Sequence, residues 1–260
     1  MESTIQLENL PWPEVEKIRD EVDGFLVLPI GATEQHGPHL PINCDTVIAR
    51  ALSHAACAKA GIPVLPAIAY TVSSGHTNKW TGTFSLTHET FIHQIEEIAD
   101  WAVATGWKKI LLVNSHFGND SSLRVAIEKI RLRFFGKLQI GLKHTFQVSD
   151  EVWSYFISDA EDLHANKAET DLLLYLTPDL VRMDLVEDDP DRTGGTVFSY
   201  PVAQTSLNGL TGSPSLGTAT RGESLFQEMT DALAAFIESA KTESAPLESH
   251  HWENLNLPST

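Results

Sequence analysis

Apolar residues in this chain follow two rhythms, short unbroken runs and longer stretches that repeat every three to four positions. The runs at residues 25–30, 109–114 and 138–142 read as strands, and a run such as Lys109-Ile110-Leu111-Leu112-Val113-Asn114 is the kind a parallel sheet buries on both faces. Residues 64–69 form a fourth, shorter candidate, interrupted by Pro66. Between the runs the helical rhythm dominates. Trp12-Pro13-Glu14 opens a helix with proline in its first turn and carboxylates near the positive end of the dipole. Residues 45–59 are helical and alanine-rich, and Gly61 stops them. Thr87-His88-Glu89-Thr90 has the shape of a helix start, followed by Phe91, Ile95, Ile98 and Ala102. Leu123, Ile127, Ile130 and Phe134 mark another helix, and residues 151–157 a short one. Residues 162–166 open a further helix carrying His164, Glu169 and the leucines at 172–174. The last, residues 222–241, has Leu225, Met229, Leu233 and Phe236 as its core stripe.

Two segments lack either rhythm: the polar loop 70–83 and the Gly/Ser/Thr/Pro-rich stretch 193–220, read as irregular structure closing over a site or as an oligomer contact. Residues 243–260 read as a mobile C-terminal tail. Strand and helix otherwise alternate, which predicts an α/β fold, a mostly parallel central sheet covered by helices on both faces, in one domain spanning residues 1–242.

Composition narrows the function. The chain has 260 residues and a net charge of -17, which argues against a nucleic-acid partner or an anionic membrane, since both need a basic face. Two cysteines, Cys44 and Cys57, indicate no disulfide framework. No basic segment followed by an apolar run opens the chain at Met1-Glu2-Ser3-Thr4-Ile5, and no stretch has the apolar length of a membrane span, so a cytoplasmic soluble protein is expected.

The chemistry concentrates on Gly31-Ala32-Thr33-Glu34-Gln35-His36-Gly37-Pro38-His39-Leu40-Pro41-Ile42-Asn43-Cys44-Asp45, which joins the first strand to a helix. Ligands in open α/β sheets bind beyond the carboxyl ends of the strands, where this connection lies. Glu34 and His36 alternate by two and point the same way in extended chain. Gly37, Pro38 and Pro41 let the loop fold back, so that Asp45 reaches the same point; an ordinary helix N-cap is the competing reading of Asp45. Three further places put polar side chains after an apolar element: Ser73 with His76, His116 with Asn119, and His164 with Glu169. His54, His88, His93 and His144, and His250 and His251 in the tail, read as structural or solvated.

The first motif, with Asn114-Ser115-His116-Phe117-Gly118-Asn119, then His164-Ala165 and Glu169-Thr170, resembles the creatininase (creatinine amidohydrolase) family over about residues 29–223. Ser73, His76, Gly82 and Thr83 match its Ser and His before a Gly-Thr. The resemblance implies a three-layer α/β/α fold, a homo-oligomer that is commonly a hexamer, and metal-dependent hydrolysis of carbon–nitrogen bonds. Members include creatininase, a formylamino-pyrimidine deformylase and a peptidase of mycofactocin maturation. By this resemblance Glu34, Asp45 and His116 hold one metal, and His36 with a bridging Asp45 holds a second. Creatininase completes its second site with a glutamate where this chain has Gly118, a gap that Glu169 or water would fill. It also carries a Trp-Asp pair where this chain has Ala160 and Glu161, so creatinine is not the expected substrate; an aromatic from Trp80, Trp153 or Phe117 would take the tryptophan's place.

Two carboxylates and two imidazoles suit zinc, manganese or iron, one or two divalent ions per chain. His164 is the candidate proton shuttle to the leaving nitrogen. Glu169 orients His164, ligates metal, or caps the helix. Ser73, His76 and Phe117 bind substrate, with backbone satisfaction in a long loop as the alternative for Ser73 and His76. Asn119 fixes the His116 loop. The expected activity is amide hydrolysis on a small cyclic amide or formamide-type substrate. Trimming of a small modified peptide is the alternative, and a catalytically silent metal-binding assembly protein the remaining one.

Overall fold

The computed structural model describes residues 5–255, so the reading of Met1 to Thr4 and of the last five tail residues lies outside the described part. Three strands, β1 (Phe25–Ile30), β2 (Lys109–Asn114) and β3 (Gln139–His144), form a parallel sheet in the order β1-β2-β3. The register pairs Phe25 with Lys109 and Gln139, and Ile30 with Asn114 and His144. All three strands therefore deliver their following loops to one edge.

Alternation along the strands divides the core. Phe25, Val27, Leu111 and Val113 face one side, packed with α2 (Cys44–Ala60), α6 (Lys167–Leu176) and α8 (Ala219–Thr242). Leu26, Leu28, Ile30, Ile110 and Leu112 face the other, against α3 (His88–Ala104) and α4 (Asp120–Arg133). The result is the expected three-layer α/β/α sandwich. A short α1 (Trp12–Glu21) leads into β1, and α5 (Asp150–Phe156) follows β3. No helix among the described residues is long and apolar enough to cross a membrane.

Several expectations are corrected. Residues 64–69 are not a strand. They run parallel to β1 as isolated bridges, Val64 to Val27 and Ile68 to Ile30: the Leu65 N–H reaches the Val27 carbonyl and the Ile68 N–H the Pro29 carbonyl, but Pro29 on β1 has no N–H to return a bond between them. The last helix begins at Ala219 rather than Gly222, since the Thr218 side chain accepts from the Arg221 N–H and caps it. His164 lies before α6 rather than inside its opening turn: Asn166 is the N-cap, accepting from the N–H groups of Ala168 and Glu169. The stretch 193–220 holds α7 (Val202–Thr205) and is tied to the body by bridges from Thr211 to His164 and from Gly212 to Asp189. The described part of the tail is anchored, with Trp252 edge-on against Phe135 at 5.4 Å between ring centres.

Candidate metal centre

Gly31 ends β1 pressed onto the first turn of α2, where a Cβ would stand 2.4 Å from the Thr46 backbone. This close approach sets the distance between strand end and helix start. The loop then folds back on itself. Glu34 N–H donates to the Ile42 carbonyl (2.9 Å), and His36 bridges Leu40, which brings the start of α2 to Glu34. Asp45 is the second residue of α2 and His116 follows β2, so the fold delivers Glu34, His36, Asp45 and His116 to one buried point.

His116 Nδ1 lies 3.1 Å from Glu34 Oε1 and 3.4 Å from Asp45 Oδ2. His36 Nε2 lies 3.4 Å from Asp45 Oδ1 and 3.9 Å from Glu34 Oε1. Despite these distances both Glu34 oxygens, Asp45 Oδ2 and His36 Nε2 are buried without a hydrogen bond in usable geometry. Orphaned buried carboxylate oxygens cost several kcal/mol unless a cation meets them (about 1–3 kcal/mol or more per group). Glu34, Asp45 and His116 offer three donor atoms within 4.8 Å of one another, as do Glu34, His36 and His164. The residues present fit a divalent ion.

The surrounding hydrogen bonds aim the imidazoles. His116 Nε2–H donates to the Val72 carbonyl (2.8 Å) and His36 Nδ1–H to the Glu34 carbonyl (3.1 Å), so the opposite ring nitrogens face the carboxylates. Burial opposes charge here, yet electrostatics prevail at several groups. Burial alone would raise the Glu34 carboxyl, but His116, His76 and His164 hold it well below the usual range. Burial alone would lower His116, but Glu34 and Asp45 raise it to about 9. His164 goes the other way: burial, reinforced by His76 and His36, holds it well below the ordinary value, so it is neutral at pH 7.

His164 donates from Nε2 to the Gln35 carbonyl (2.8 Å) and turns Nδ1 towards Glu34 Oε1 at 3.7 Å. Its neighbour Ala165 holds a left-handed φ of 50°, a strain of about 1–2 kcal/mol for a residue with a Cβ. That turn aims the Ala165 N–H at Glu169 Oε2 (2.6 Å). Glu169 is the third helical residue of α6 and reaches back as in a capping box, while Asn166 accepts from its N–H. Burial raises the Glu169 carboxyl to about 7. Of its three sequence readings, capping is therefore observed, and its other face joins a donor group with His36 and Cys44.

Ser73, His76, His116, Phe117, His164 and Glu169 line one cavity of about 260 Å³ together with Glu34 and Asp45. His76 Nε2 sits 3.2 Å from Glu34 Oε2 and Ser73 Oγ 3.4 Å from His116 Nε2, so both touch the donor cluster as well as the cavity. Phe117 is exposed at the mouth. Trp153 lines an adjoining cavity behind it, and Trp80 lines neither. Asn119 holds the loop, donating to the Gly31 carbonyl and to Asn114 Oδ1 (both 3.0 Å). His144 Nδ1 accepts from Asn114 Nδ2 (3.0 Å) and its Nε2–H donates to Asp120 Oδ1 (2.7 Å), a structural post beneath the His116 loop.

Gln35 escaped the sequence reading. Its side-chain amide nitrogen, Nε2, lies 2.9 Å from His76 Nδ1 and 3.1 Å from His164 Nε2 and donates to the Gly209 carbonyl (2.7 Å), linking two cavity histidines to the 193–220 segment. His88, read from the sequence as structural or solvated, also lines the cavity while its Nδ1 bonds Ser122 Oγ (2.7 Å), and Thr211, unassigned from the sequence, lines it too. The only sequence hint for Gln35 was its place between Glu34 and His36.

A family model, Creatininase (creatinine amidohydrolase), matches residues 8–237. The chain belongs to the creatininase family. It is 32% identical over 229 residues to a mycofactocin precursor peptide peptidase of Mycobacterium ulcerans (strain Agy99), covering 79% of this chain and 81% of that protein. It is 27% identical over 257 residues to a creatinine amidohydrolase of Pseudomonas putida, covering 91% and 97%. A crystal structure of creatinine amidohydrolase superposes with a TM-score of 0.80 at 25% identity, covering 93% of this chain and 99% of that one. Solved creatininases of this fold include a Zn–Zn form and an Mn form, each at 24% identity with a TM-score of 0.79.

This creatininase-family hydrolase differs from the creatininase pattern at Gly118. A Cβ there would stand 2.5 Å from His116 Nε2 and 3.0 Å from the Val72 carbonyl oxygen, so the orientation of His116 leaves no room for a side chain at 118.

Proposed function

We propose that this creatininase-family amidohydrolase holds a divalent metal with Glu34, Asp45 and His116, with His36 beside it, and cleaves an amide carbon–nitrogen bond in the cavity above. The observation that carries this reading is the set of buried donor atoms left unpartnered at one point, both Glu34 oxygens, Asp45 Oδ2 and His36 Nε2. Zinc, manganese or iron suits these donors, and a bound ion supplies Lewis acidity, polarising a carbonyl and making hydroxide available near neutral pH.

The protein's own groups do the rest. Val72 and the Glu34 carbonyl fix the ligand tautomers. His164, neutral and with Nδ1 turned to the cavity, takes a proton and hands it to the leaving nitrogen, which as an amide anion would be a very poor leaving group. His76 and Ser73 offer polar contacts to the substrate from the opposite wall, and Phe117 an apolar face at the mouth.

The shape of the cleft favours an extended substrate. The cavity is continued by a second one of about 420 Å³ that shares Phe117, Asp162 and Leu163 and reaches Trp153. A peptide end would occupy both, whereas a cyclic amide or formamide would occupy the first alone. The exposed Val197, Phe198 and Leu207 on the segment that closes over the site support a homo-oligomer. The test is turnover by metal-loaded protein on short peptides, cyclic amides and formamides, with Glu34→Gln as control. Release of a terminal fragment from peptides supports the extended reading, turnover of small amides alone supports the closed one, and no metal-dependent turnover in any class refutes the assignment.

A further inference from the structure

One side chain at the centre has no part in the chemistry above. Cys44 opens α2 immediately before Asp45 and is fully buried. Its Sγ, a ring nitrogen of His36 and a carboxylate oxygen of Glu169 all lie within 4.8 Å of one another.

We propose that Cys44 is a thiolate ligand of a second divalent cation, held together with His36 and Glu169; this rests on the metallohydrolase reading above. Three observations carry it. His36 Nδ1 is engaged with the Glu34 carbonyl, while Nε2 is buried without a hydrogen bond and is the ring atom left to meet a cation. Glu169 has Oε2 held by the Ala165 N–H, which anchors the carboxylate beside the thiol. On the other side of the centre, position 118 is glycine and the His116 ring blocks its Cβ direction, so no side-chain donor enters from there.

The bland alternative is a small apolar residue filling the core, the usual place of a buried cysteine. Cys57 shows what that looks like. It lies on the same helix, equally buried, among apolar neighbours such as Ala60 and Ile62, and belongs to no donor cluster. A catalytic nucleophile is the other alternative, but Cys44 is fully buried and does not line the cavity, so its thiol is out of a substrate's reach. Ligation forms one sulfur–metal bond and breaks one S–H bond, with the proton leaving to solvent. A soft thiolate in the set selects zinc, cobalt or iron over manganese or magnesium at that position.

The experiment is a Co²⁺ titration of the full chain after metal removal, in wild type, Cys44→Ser and Cys57→Ser. Wild type and C57S should take up two equivalents and show the intense near-ultraviolet sulfur-to-cobalt absorption. C44S should keep the first equivalent, lose that absorption, and bind the second at least ~10-fold more weakly. Cobalt uptake by wild type without the sulfur absorption overturns the proposal, however C44S folds, and so does an absorption that persists in C44S or vanishes in C57S. Those outcomes leave the first metal site standing. Failure of every form to bind cobalt overturns the metallohydrolase reading along with the proposal.

Discussion

Replacing Gly118 with alanine tests how tightly the site geometry is set. The added methyl would stand 2.5 Å from His116 Nε2 and 3.0 Å from its Cε1, closer than carbon atoms pack, with the Val72 carbonyl oxygen at 3.0 Å on the other side. The imidazole must swing, and its 2.8 Å hydrogen bond to Val72 is then lost. Overpacking of a close-fitting site costs about 1–3 kcal/mol and a net hydrogen bond about 1 kcal/mol, so a loss of about 2–4 kcal/mol is expected. For a chain of this size that is a fall in Tm of about 5–15 °C in the metal-free protein. Removing the group that orients a ligand histidine also weakens metal binding by about 10–100-fold, read by competition with a chelating indicator. Gly118→Glu should show the same loss rather than gain a donor, because its carboxylate sits on the same obstructed Cβ. Wild-type Tm and wild-type metal affinity in G118A would refute this account of the His116 loop.

Other consequences can be checked directly. His164→Ala should lower turnover by about 10²–10⁴-fold while metal content stays at the wild-type value, since the ring contributes a proton path rather than the central donor set; parallel loss of metal would make it a ligand instead. Asp171 is fully buried and accepts from Tyr155 Oη and the Thr218 N–H, both at 2.5 Å, with Arg221 alongside, so Asp171→Ala should destabilise the packing of α6 on α8 by about 3–5 kcal/mol in denaturant unfolding. Burial and the Asp171 carboxylate raise the Tyr155 phenol to about 12. The unfolded chain ionises near pH ~10, as a free phenol does, and the folded one later, so this contribution to stability is complete below about pH 10 and is lost as pH rises towards about 12. Tyr155→Phe should flatten the alkaline fall in unfolding free energy over that window, and an unchanged slope would show that Tyr155 does not titrate as the structure indicates.

Much of the frame was legible because it follows from local rhythm. β2 occupies residues 109–114 as read, and helices α2 and α3 start within a residue or so of their expected caps, since apolar period and capping residues are local signals. The convergence of Glu34, His36, Asp45 and His116 on one point was legible for a related reason. Glu34, His36 and Asp45 share one short loop whose proline and glycine residues announce that it folds back, and His116 follows the clearest strand. The misreadings share a different cause. His164 was placed in a helix because Asp162 and Asn166 are both plausible caps, and only the bridge to Thr211, 47 positions away in sequence, settles that Asn166 is the cap. Residues 64–69 look like a strand by composition and fail as one because Pro29 on the facing strand cannot donate to them.

The part least visible in the sequence is the part that makes the cavity specific. Gln35 sits between two ligand residues with its side chain pointing the opposite way along the extended loop, and that orientation takes it to His76 and His164 rather than to the metal donors. Its amide is then clamped by the Gly209 carbonyl. Gly209 must be glycine on two counts, a φ of 88° and a Cβ position only 2.2 Å from Gln35 Oε1. A glycine in an irregular segment and a glutamine in a metal loop carry no local signal that they belong together. Yet through this contact the 193–220 segment, which has no rhythm of its own, is fastened to the histidines that face the substrate. Variation in that segment can therefore alter what the cavity accepts without disturbing Glu34, Asp45 or His116.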